Sequence, residues 1–160
     1  MILEGMVTSQ NESGELNIAP MGPQVDQGMT RFILRPFQTS RTFSNLKETR
    51  SGVFHVVDDV LLLAKSAIGT LQEIPETFPA EKISGRVLAS ACRWYEFQIE
   101  SIDESEARTV MQAKVIHRGR IRDYFGLNRA KHAVLEAAIL ATRTHLIEQG
   151  DLLAQYQTLA

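Results

Sequence analysis

RPFQTSRTFSNLKETRSG, residues 35–52, joins two apolar runs, RFIL before it and VFHVV after it. Both runs are rich in β-branched or aromatic residues, and we predict a strand for each. The stretch between them takes on helical spacing, with Phe43 and Leu46 on one side and Gly52 as the stop. Its first half collects hydroxyl, guanidinium and amide groups, so donors for an anion gather where a helix begins.

A helix N-terminus exposes unpaired N–H groups and carries a partial positive charge, which suits a phosphate group. Guanidinium groups hold phosphate oxygens bidentately, and hydroxyls supply further hydrogen bonds. The candidate donors at this point are Thr39, Ser40, Arg41 and Thr42. A plainer interpretation makes Ser40 a helix cap and Arg41 a solvated surface side chain, and spacing alone favours it.

The length and composition predict one ordinary globular domain over residues 1–160, and the residue pattern from about 128 onward predicts a helical C-terminal part. The chain is 44% hydrophobic and 22% charged, with a net charge of −2. Such a charge gives no reason to expect nucleic acid or an acidic membrane surface as a partner. The single cysteine, Cys92, fits a reducing compartment. Without a signal-peptide pattern or an apolar run near the roughly 20 residues of a membrane span, we expect a soluble, cytoplasmic protein.

Hairpins dominate the strand pattern, and no βαβ rhythm is present. Six or seven antiparallel strands are expected, while residues 70–85 are predicted to be irregular. The clearest strand segments are 3–9, 16–23, 31–37, 53–57, 86–102 and 108–117. This pattern predicts a mainly β, α+β fold: an antiparallel barrel, closed or split, with helices in the connections.

Three or four helices are expected in the connections and at the C-terminal end. Asp58 and Asp59 are good N-caps for a helix that Gly69 ends. Asn128 is predicted to cap a longer helix that runs to about Gln149 and is ended by Gly150. The buried candidates of this long helix are Val134, Leu135, Ala138, Ile139 and Leu146.

A locally basic segment, residues 114–132, is a second candidate for anion binding. Arg129, at the predicted helix start, is its best single residue. We expect an anionic small molecule rather than nucleic acid, because no aromatic stacking pattern accompanies the charge. The plainer interpretation is a solvated hairpin end and helix start.

The remaining reactive or bulky residues suggest structural roles. No His-x-x-x-His pair shares a helix face with a carboxylate, so no metal site is predicted. Cys92 is expected to be a buried spectator. Trp94 shares its strand parity with Glu96 and Gln98, so we expect it to be exposed in the monomer and to serve an interface.

The segment SRTFSNLKETRSGVFHVV resembles the pattern Ser/Arg–x–Thr–x–x–Asn–Ile/Leu–x–x–Thr–(x)–Gly–x–Phe–Val–Val–Asn of the FMN-binding split-barrel proteins, the flavin-reductase and flavoredoxin kind. The whole chain is more similar still to one small prokaryotic group in that superfamily, whose members have no assigned reaction. The segments that carry this likeness are LEGMVTS, NIAPMGP, SRTFSNLKET, VVDDV and NRAKHAVLEAAILATR. The resemblance covers residues 1–68 and recurs in the C-terminal helix, whereas residues 70–105 carry no motif of their own.

The resemblance implies an FMN site that spans the second strand and the helix after the third. Phosphate is expected at the start of that helix, with Arg35 closing the site and Asn45 orienting the loop or reaching the ribityl chain. The isoalloxazine ring is expected across the second strand, contacted largely by backbone groups. The implied cofactor-binding residues are Ala19, Pro20, Met21, Arg35, Thr39, Ser40, Arg41, Thr42, Asn45 and Arg129. FMN is expected rather than FAD, because the loop is short and no Gly-x-Gly-x-x-Gly follows a strand.

Two departures from the family pattern matter. His55 stands where the pattern has Asn, which affects any polar contact from that strand. The chain also has Thr49–Arg50–Ser51–Gly52 where the pattern has Thr–Gly, which lengthens the helix exit and would shift the strand register.

The resemblance implies a flavin-dependent oxidoreductase or flavin-reductase-like protein of unknown substrate, for which a nicotinamide is the expected donor. The basic segment at residues 114–132 suggests a small anionic or pterin-like acceptor. No acid–base catalyst stands out. The alternatives are a non-enzymatic flavin carrier or sensor, and a structural dimer without cofactor. A homodimer is expected, because a small barrel offers only a shallow groove and a second subunit would cover the ring.

Overall fold

The computed structural model describes residues 1–126 and 128–159, in which an antiparallel sheet dominates. The strands are β1 (Gly5–Gln10), β2 (Leu16–Met21), β3 (Gln24–Val25), β4 (Arg31–Leu34), β5 (Ser51–Val56), β6 (Thr77–Pro79), β7 (Arg86–Leu88), β8 (Arg93–Asp103) and β9 (Val110–Arg120). The helices are α1 (Arg41–Thr49), α2 (Val60–Ala67), α3 (Arg129–Ala141) and α4 (Gln149–Leu159). One sheet has the order β2-β1-β5-β8-β9-β4-β3, and β6 pairs with β7 in a separate hairpin. The predicted α+β class, with helices in the connections and at the C-terminal end, is confirmed.

The chain forms two compact units. The first comprises Met1–Val57 and Pro75–Asp123, and therefore holds all the strands described above and α1. The second comprises Asp58–Ile74 and the C-terminal segment from Tyr124, with α2, α3 and α4. The expectation of one domain over residues 1–160 stays a prediction. In the described part of the chain, none of the helices has the length and apolar character that a membrane crossing requires.

The sequence NESGE predicts the turn of the β1–β2 hairpin, because Asn11 and Gly14 tolerate a left-handed backbone, and the hairpin turns there. Gly14 has a left-handed backbone, with φ of 82°, and the Asn11 side chain accepts a hydrogen bond from the Glu15 N–H at 2.8 Å. Glycine tolerates that φ because it has no Cβ, and the hydrogen bond to the Asn11 side chain closes the turn. Local chemistry therefore determines this turn.

The residues before β1 continue the same hairpin and curl the sheet. The Leu3 N–H donates to the Pro23 carbonyl at 3.1 Å, and the Val25 N–H donates to the Met1 carbonyl at 2.8 Å. Because β3 also pairs with β4 at the far edge of the sheet, these bonds bring the two edges together. The sheet thus wraps into a barrel around its apolar face.

The barrel core is aromatic and receives residues from α1. Phe32 makes edge-to-face contacts with Phe54 and Tyr95, with ring centroids 5.4 and 5.9 Å apart, a favoured geometry for buried aromatic pairs. Phe43 and Leu46 of α1 pack into the same cluster. Alternation along RFIL predicts Arg31 and Ile33 on one face and Phe32 and Leu34 on the other, and the burial of Phe32 and Leu34 confirms this prediction.

The β6–β7 hairpin covers the opposite face of the sheet and corrects two predictions. Residues 70–85 are not wholly irregular, and residues 86–102 are not one strand, since β7 and β8 are separate. Between them the Ala91 N–H donates to the Leu88 carbonyl at 3.2 Å, and the Cys92 N–H donates to the Val56 carbonyl at 2.8 Å. These two bonds turn the chain at a place where side-chain alternation continues without a break.

Trp94 is buried, with 7% of its surface exposed, so its predicted exposure is wrong. The Phe78 ring of the β6–β7 hairpin meets the indole edge-on, with centroids 5.5 Å apart. The indole lies against Gly119, so closely that no room remains for a Cβ at that position. Side-chain alternation correctly placed Trp94 on the polar face of the strand, but the β6–β7 hairpin, from another part of the chain, covers that face.

Three buried polar side chains of the sheet hold this hairpin by its backbone. We call Thr8, His55 and Glu96 the hairpin clasp. The Thr8 hydroxyl donates to the Arg86 carbonyl at 2.6 Å, and the His55 Nε2 accepts from the Leu88 N–H at 3.1 Å. The sheet therefore recognises the hairpin mainly through main-chain groups.

Glu96 provides the strongest part of the clasp. Its carboxylate accepts the N–H groups of Glu81 and Lys82 at 2.8 and 2.7 Å and the Trp94 indole N–H at 3.2 Å. Burial alone would raise the pKa of this carboxyl, but these hydrogen bonds outweigh it and hold the pKa below its ordinary value. Glu96 is thus a buried anion that hydrogen-bond donors stabilise.

His55 is buried in its neutral form. Burial lowers the pKa of His55 to about 4, and the nearby Met6 carbonyl only partly offsets that effect. Because Nε2 accepts from Leu88, the proton lies on Nδ1 and is donated to the Met6 carbonyl at 3.2 Å. The imidazole consequently bridges β1 and β7 from its place in β5.

The C-terminal helical part contains two helices rather than the predicted single helix to about Gln149. The Thr142 hydroxyl donates to the Ile139 carbonyl at 2.8 Å and competes with the helix at the end of α3. The Glu148 carboxylate accepts the Gly150 N–H at 2.7 Å. Gly150 therefore lies inside the first turn of α4 instead of ending a helix, and that prediction is wrong.

Other details of the second unit follow the sequence more closely. Asp59 caps α2 and Asn128 caps α3, as predicted. Ala138 is buried, whereas Val134 and Leu146 are exposed, so two of the five buried candidates are wrong. The end of α3 at residue 141 removes Leu146 from its apolar face.

Candidate functional site

The first turn of α1 presents backbone donors. Ser40 is the N-cap, and its hydroxyl oxygen accepts from the Phe43 N–H at 3.1 Å while the hydroxyl donates to the Phe37 carbonyl at 2.7 Å. Helix geometry leaves the N–H groups of Arg41 and Thr42 without an acceptor inside the helix. The predicted cap is confirmed, and two adjacent amides remain to meet an anion.

Arg41 adds a guanidinium to these amides. Its Nη1 lies 3.3 Å from Glu15 Oε1, and both side chains are nearly two-thirds exposed. Exposed pairs of this kind contribute little, and the long side chain loses little when it changes partner. Arg41 is therefore free to exchange the carboxylate for another anion at the helix start.

Thr42 and Asn45 point in the other direction, into the protein. We call Ser9, Asn17, Thr42 and Asn45 the α1 network. The Asn17 amide donates to the Thr42 hydroxyl at 2.9 Å and to the Ser9 hydroxyl at 3.4 Å, and the Asn45 amide donates to the Ser9 hydroxyl at 3.2 Å. Side chains thus bond to side chains and attach α1 to β1 and β2.

The loop before α1 rests on the turn at 104–109. The Gln38 amide donates to the carbonyls of Glu104 and Glu106 at 2.9 and 3.0 Å. Arg35 and Thr39 are exposed. Their side chains lie on the solvent side of a loop whose backbone is anchored, while their contacts with a ligand stay predictions.

Strand β2 carries the three residues expected at the ring. Ala19, Pro20 and Met21 are half-buried, and β2 is an edge strand of the sheet. The Asn11 N–H donates to the Glu15 carbonyl, so residues 11 and 15 form a hydrogen-bonded pair. Hydrogen-bonded and non-hydrogen-bonded pairs alternate from there along the β1–β2 register. By that alternation the Pro20 carbonyl points away from β1, and proline has no N–H to accompany it.

Arg129 belongs to the second unit, where it is the first residue of α3 and is exposed. The Asn128 side chain caps that helix by accepting the Lys131 N–H at 3.1 Å. The candidate site residues of the first unit lie in β2, in the loop before α1 and in the N-terminal half of α1. That Arg129 contributes to cofactor binding stays a prediction.

Ser9 and Asn17 were missed as site residues, although a signal existed. They are register partners across the β1–β2 hairpin, and Ser9 shares its strand parity with the buried Val7. A polar pair at an inward parity indicates a buried partner. What the strands do not reveal is that the partner is α1.

Cys92 is buried, as predicted. Within residues 1–126 and 128–159, no three His, Cys, Asp or Glu side chains converge as a metal site requires.

The family profile described as "Protein of unknown function (DUF447) N-terminal domain" matches residues 3–122. This chain belongs to the DUF447 family. The comparison with curated proteins gave no match.

Solved structures support the family assignment at the level of fold. An FMN-bound DUF447 protein from Methanosarcina mazei is 26% identical, with a TM-score of 0.80 over 99% of this chain and 85% of that one. The styrene monooxygenase flavin reductase from Pseudomonas putida S12 is 14% identical, with a TM-score of 0.59 over 74% of this DUF447 chain and 82% of that one. An FMN-binding protein from Thermus thermophilus, with bound p-hydroxybenzaldehyde, is 13% identical, with a TM-score of 0.61 over 74% and 71%.

These neighbours confirm the resemblance and the fold class inferred from the sequence of this DUF447 protein. Its sheet has the split-barrel architecture of flavin-binding proteins.

Proposed function

We propose that this protein binds FMN and acts as a flavin-reductase-like oxidoreductase. The observation that carries the proposal is the likeness to the FMN-bound M. mazei protein over 99% of the chain. The donor set at α1 fits the cofactor's phosphate, because two amides and a guanidinium meet a dianion at the positive end of a helix.

Four neighbouring residues would hold the phosphate. Arg41 contributes its N–H and its guanidinium, and Thr42 contributes its N–H. Thr39 supplies an exposed hydroxyl, and Ser40 keeps the turn in shape by capping it. Arg35 adds positive charge beside the same loop.

The ring would lie along β2. Ala19 and Met21 provide half-buried apolar contact, and the Pro20 carbonyl provides an acceptor directed away from β1. Bound flavin supplies the redox chemistry, while the chain positions it and excludes water. We assign no catalytic residue in this protein.

A nicotinamide is the proposed electron donor and a small anionic molecule the proposed acceptor. We propose a homodimer, because an edge strand leaves one side of a flat ring uncovered. The cytoplasm is the proposed location, consistent with a lone, buried cysteine. The alternative is a flavin carrier or sensor that binds FMN without turnover.

Equilibrium titration with FMN, followed by quenching of flavin fluorescence, tests the site. Arg41→Ala should weaken binding roughly 10- to 150-fold, because a charge-assisted hydrogen bond contributes about 1.5–3 kcal/mol. Glu15→Gln should tighten binding about threefold, because it removes the carboxylate that competes for Arg41. All variants are measured at one ionic strength.

Arg50→Ala is the matched control. Arg50 caps the C-terminal end of the same helix, where the dipole disfavours anions, and its loss should change affinity little. Equal losses in the two arginine variants would mean that only general positive charge matters. A wild-type protein that binds no FMN would overturn the proposal and leave the cofactor-free dimer.

Anaerobic mixing of the FMN complex with NADH or NADPH separates the enzyme from the carrier. Loss of the flavin's visible absorbance within seconds is the result expected of a reductase. A flavin that stays oxidised with both donors would favour the carrier or sensor.

A further inference from the structure

Asn17 is the side-chain link between the two elements that the proposed FMN site uses. It lies in β2, two residues before Ala19. Its amide donates to the hydroxyl of Thr42, the second residue of α1, at 2.9 Å. One end of this hydrogen bond belongs to the strand proposed for the ring, and the other to the turn proposed for the phosphate.

The contact lies in a place where it is expected to be rigid. Thr42 is 4% exposed, and the Ser9 hydroxyl beside it receives both the Asn17 and Asn45 amides. Buried hydrogen bonds between neutral groups hold their geometry, because losing one leaves an unpaired polar group out of water. The Asn17 amide thus joins β2 to the first turn of α1 through a hydrogen bond whose acceptor residue is buried.

The position of that turn matters for phosphate but little for the ring. The N–H groups of Arg41 and Thr42 must converge on one anion, and an amide hydrogen bond weakens steeply with distance and angle. The ring proposed along β2 would contact that strand directly, without groups of α1. A defect in the link should therefore appear in the part of the affinity that the phosphate contributes.

We propose that Asn17 is a positioning residue that aligns the first turn of α1 with β2, so that the phosphate and ring of one flavin are bound together. The inference rests on the proposed FMN binding. It assigns Asn17 no direct contact with the cofactor, and it gives the Thr42 hydroxyl an anchoring role beside the donor role of its N–H.

The test compares FMN with riboflavin, which has the same ring and lacks the phosphate. In the wild-type protein the ratio of the two dissociation constants measures the contribution of the phosphate. Asn17→Ala should weaken FMN binding about tenfold and leave riboflavin binding unchanged, so that the ratio falls. Thr42→Val removes the acceptor of the same hydrogen bond from the α1 side and should lower the ratio similarly.

Two further variants complete the design. The double variant Asn17→Ala/Thr42→Val should lose no more than either single variant, because both remove one link. Gln10→Ala removes an amide of the same hairpin that donates to the Gly14 carbonyl and not to α1, and it should leave the ratio unchanged.

The outcomes separate the inference from the proposed function. Equal weakening of FMN and riboflavin, or an unchanged ratio in both Asn17→Ala and Thr42→Val, would overturn the positioning role alone. If Asn17→Ala does not fold, Thr42→Val gives the same reading from the other partner. A wild-type protein that binds neither flavin would overturn the proposed function, and this inference with it.

Discussion

The sheet of the first unit is covered on one face by α1 and on the other by the β6–β7 hairpin, and the two covers are fastened differently. In the α1 network, side chains donate to side chains, so the residue type of both partners matters and can be recognised in the sequence. In the hairpin clasp, sheet side chains bond to the backbone of the cover. A backbone group has the same chemistry whatever residue carries it.

This difference explains why the sequence predicted α1 but not the β6–β7 hairpin. The α1 segment resembles a family pattern because its Thr and Asn positions are chemically specified. The hairpin segment shows no motif, because the sheet binds mainly its main-chain groups. Its side chains contribute only a few apolar contacts, such as that of Phe78. A cover that is held by its backbone is therefore hard to detect from its own sequence.

The largest expected effect tests the clasp. Glu96→Ala leaves three donors without their acceptor in a buried site and should lower the free energy of unfolding by roughly 3–5 kcal/mol. Lys82→Ala, which keeps its backbone N–H and changes only an exposed side chain, should cost less than about 0.5 kcal/mol. Urea unfolding measures both, and equal losses would contradict recognition through the backbone.

The second effect concerns acidity. Burial lowers the pKa of His55 from its ordinary value of 6.5 to about 4 in the folded protein. Between these two pH values the unfolded chain therefore binds a proton that the folded protein does not. Stability from this residue is complete above about pH 6.5 and falls by about 3 kcal/mol as the pH drops to 4.

His55→Gln should flatten this part of the pH profile of unfolding. The lowered pKa of Glu96 implies a further loss at pH values below the ordinary range of a carboxyl group, and that loss should remain in His55→Gln. A slope between pH 6.5 and 4 that is the same in both proteins would assign the acid sensitivity to another group.

A smaller effect is expected in the α1 network. Ser9→Ala and Asn45→Ala should each lower the free energy of unfolding by about 1–2 kcal/mol, and together by less than the sum, with a coupling of about 1 kcal/mol. Additive losses would show that these two side chains do not act through a shared hydrogen bond.

The smallest effect separates folding from binding at α1. Arg41→Ala should change the stability of the cofactor-free protein by less than about 0.5 kcal/mol, because the pair with Glu15 is exposed. Thermal unfolding without flavin measures this change. A loss comparable with that of Asn45→Ala would mean that Arg41 helps to hold the helix.

The sequence alone determined the elements whose chemistry is local. Ser40, Asp59 and Asn128 cap helices because each hydroxyl, carboxylate or amide reaches an N–H within three residues, and Gly14 turns the first hairpin. Alternation identified the barrel face of β4, and the pattern around Arg41 identified the family. These conclusions depend on neighbours along the chain.

Only the tertiary structure decided which faces are covered. Trp94 and Glu96 lie on a face that alternation marks as polar, and they are buried because a hairpin from another part of the chain packs on it. Ser9 and Asn17 became candidates for the site only when α1 was placed beside them. Burial of a polar group depends on a partner that is distant in sequence, and periodicity in a strand carries no information about that partner.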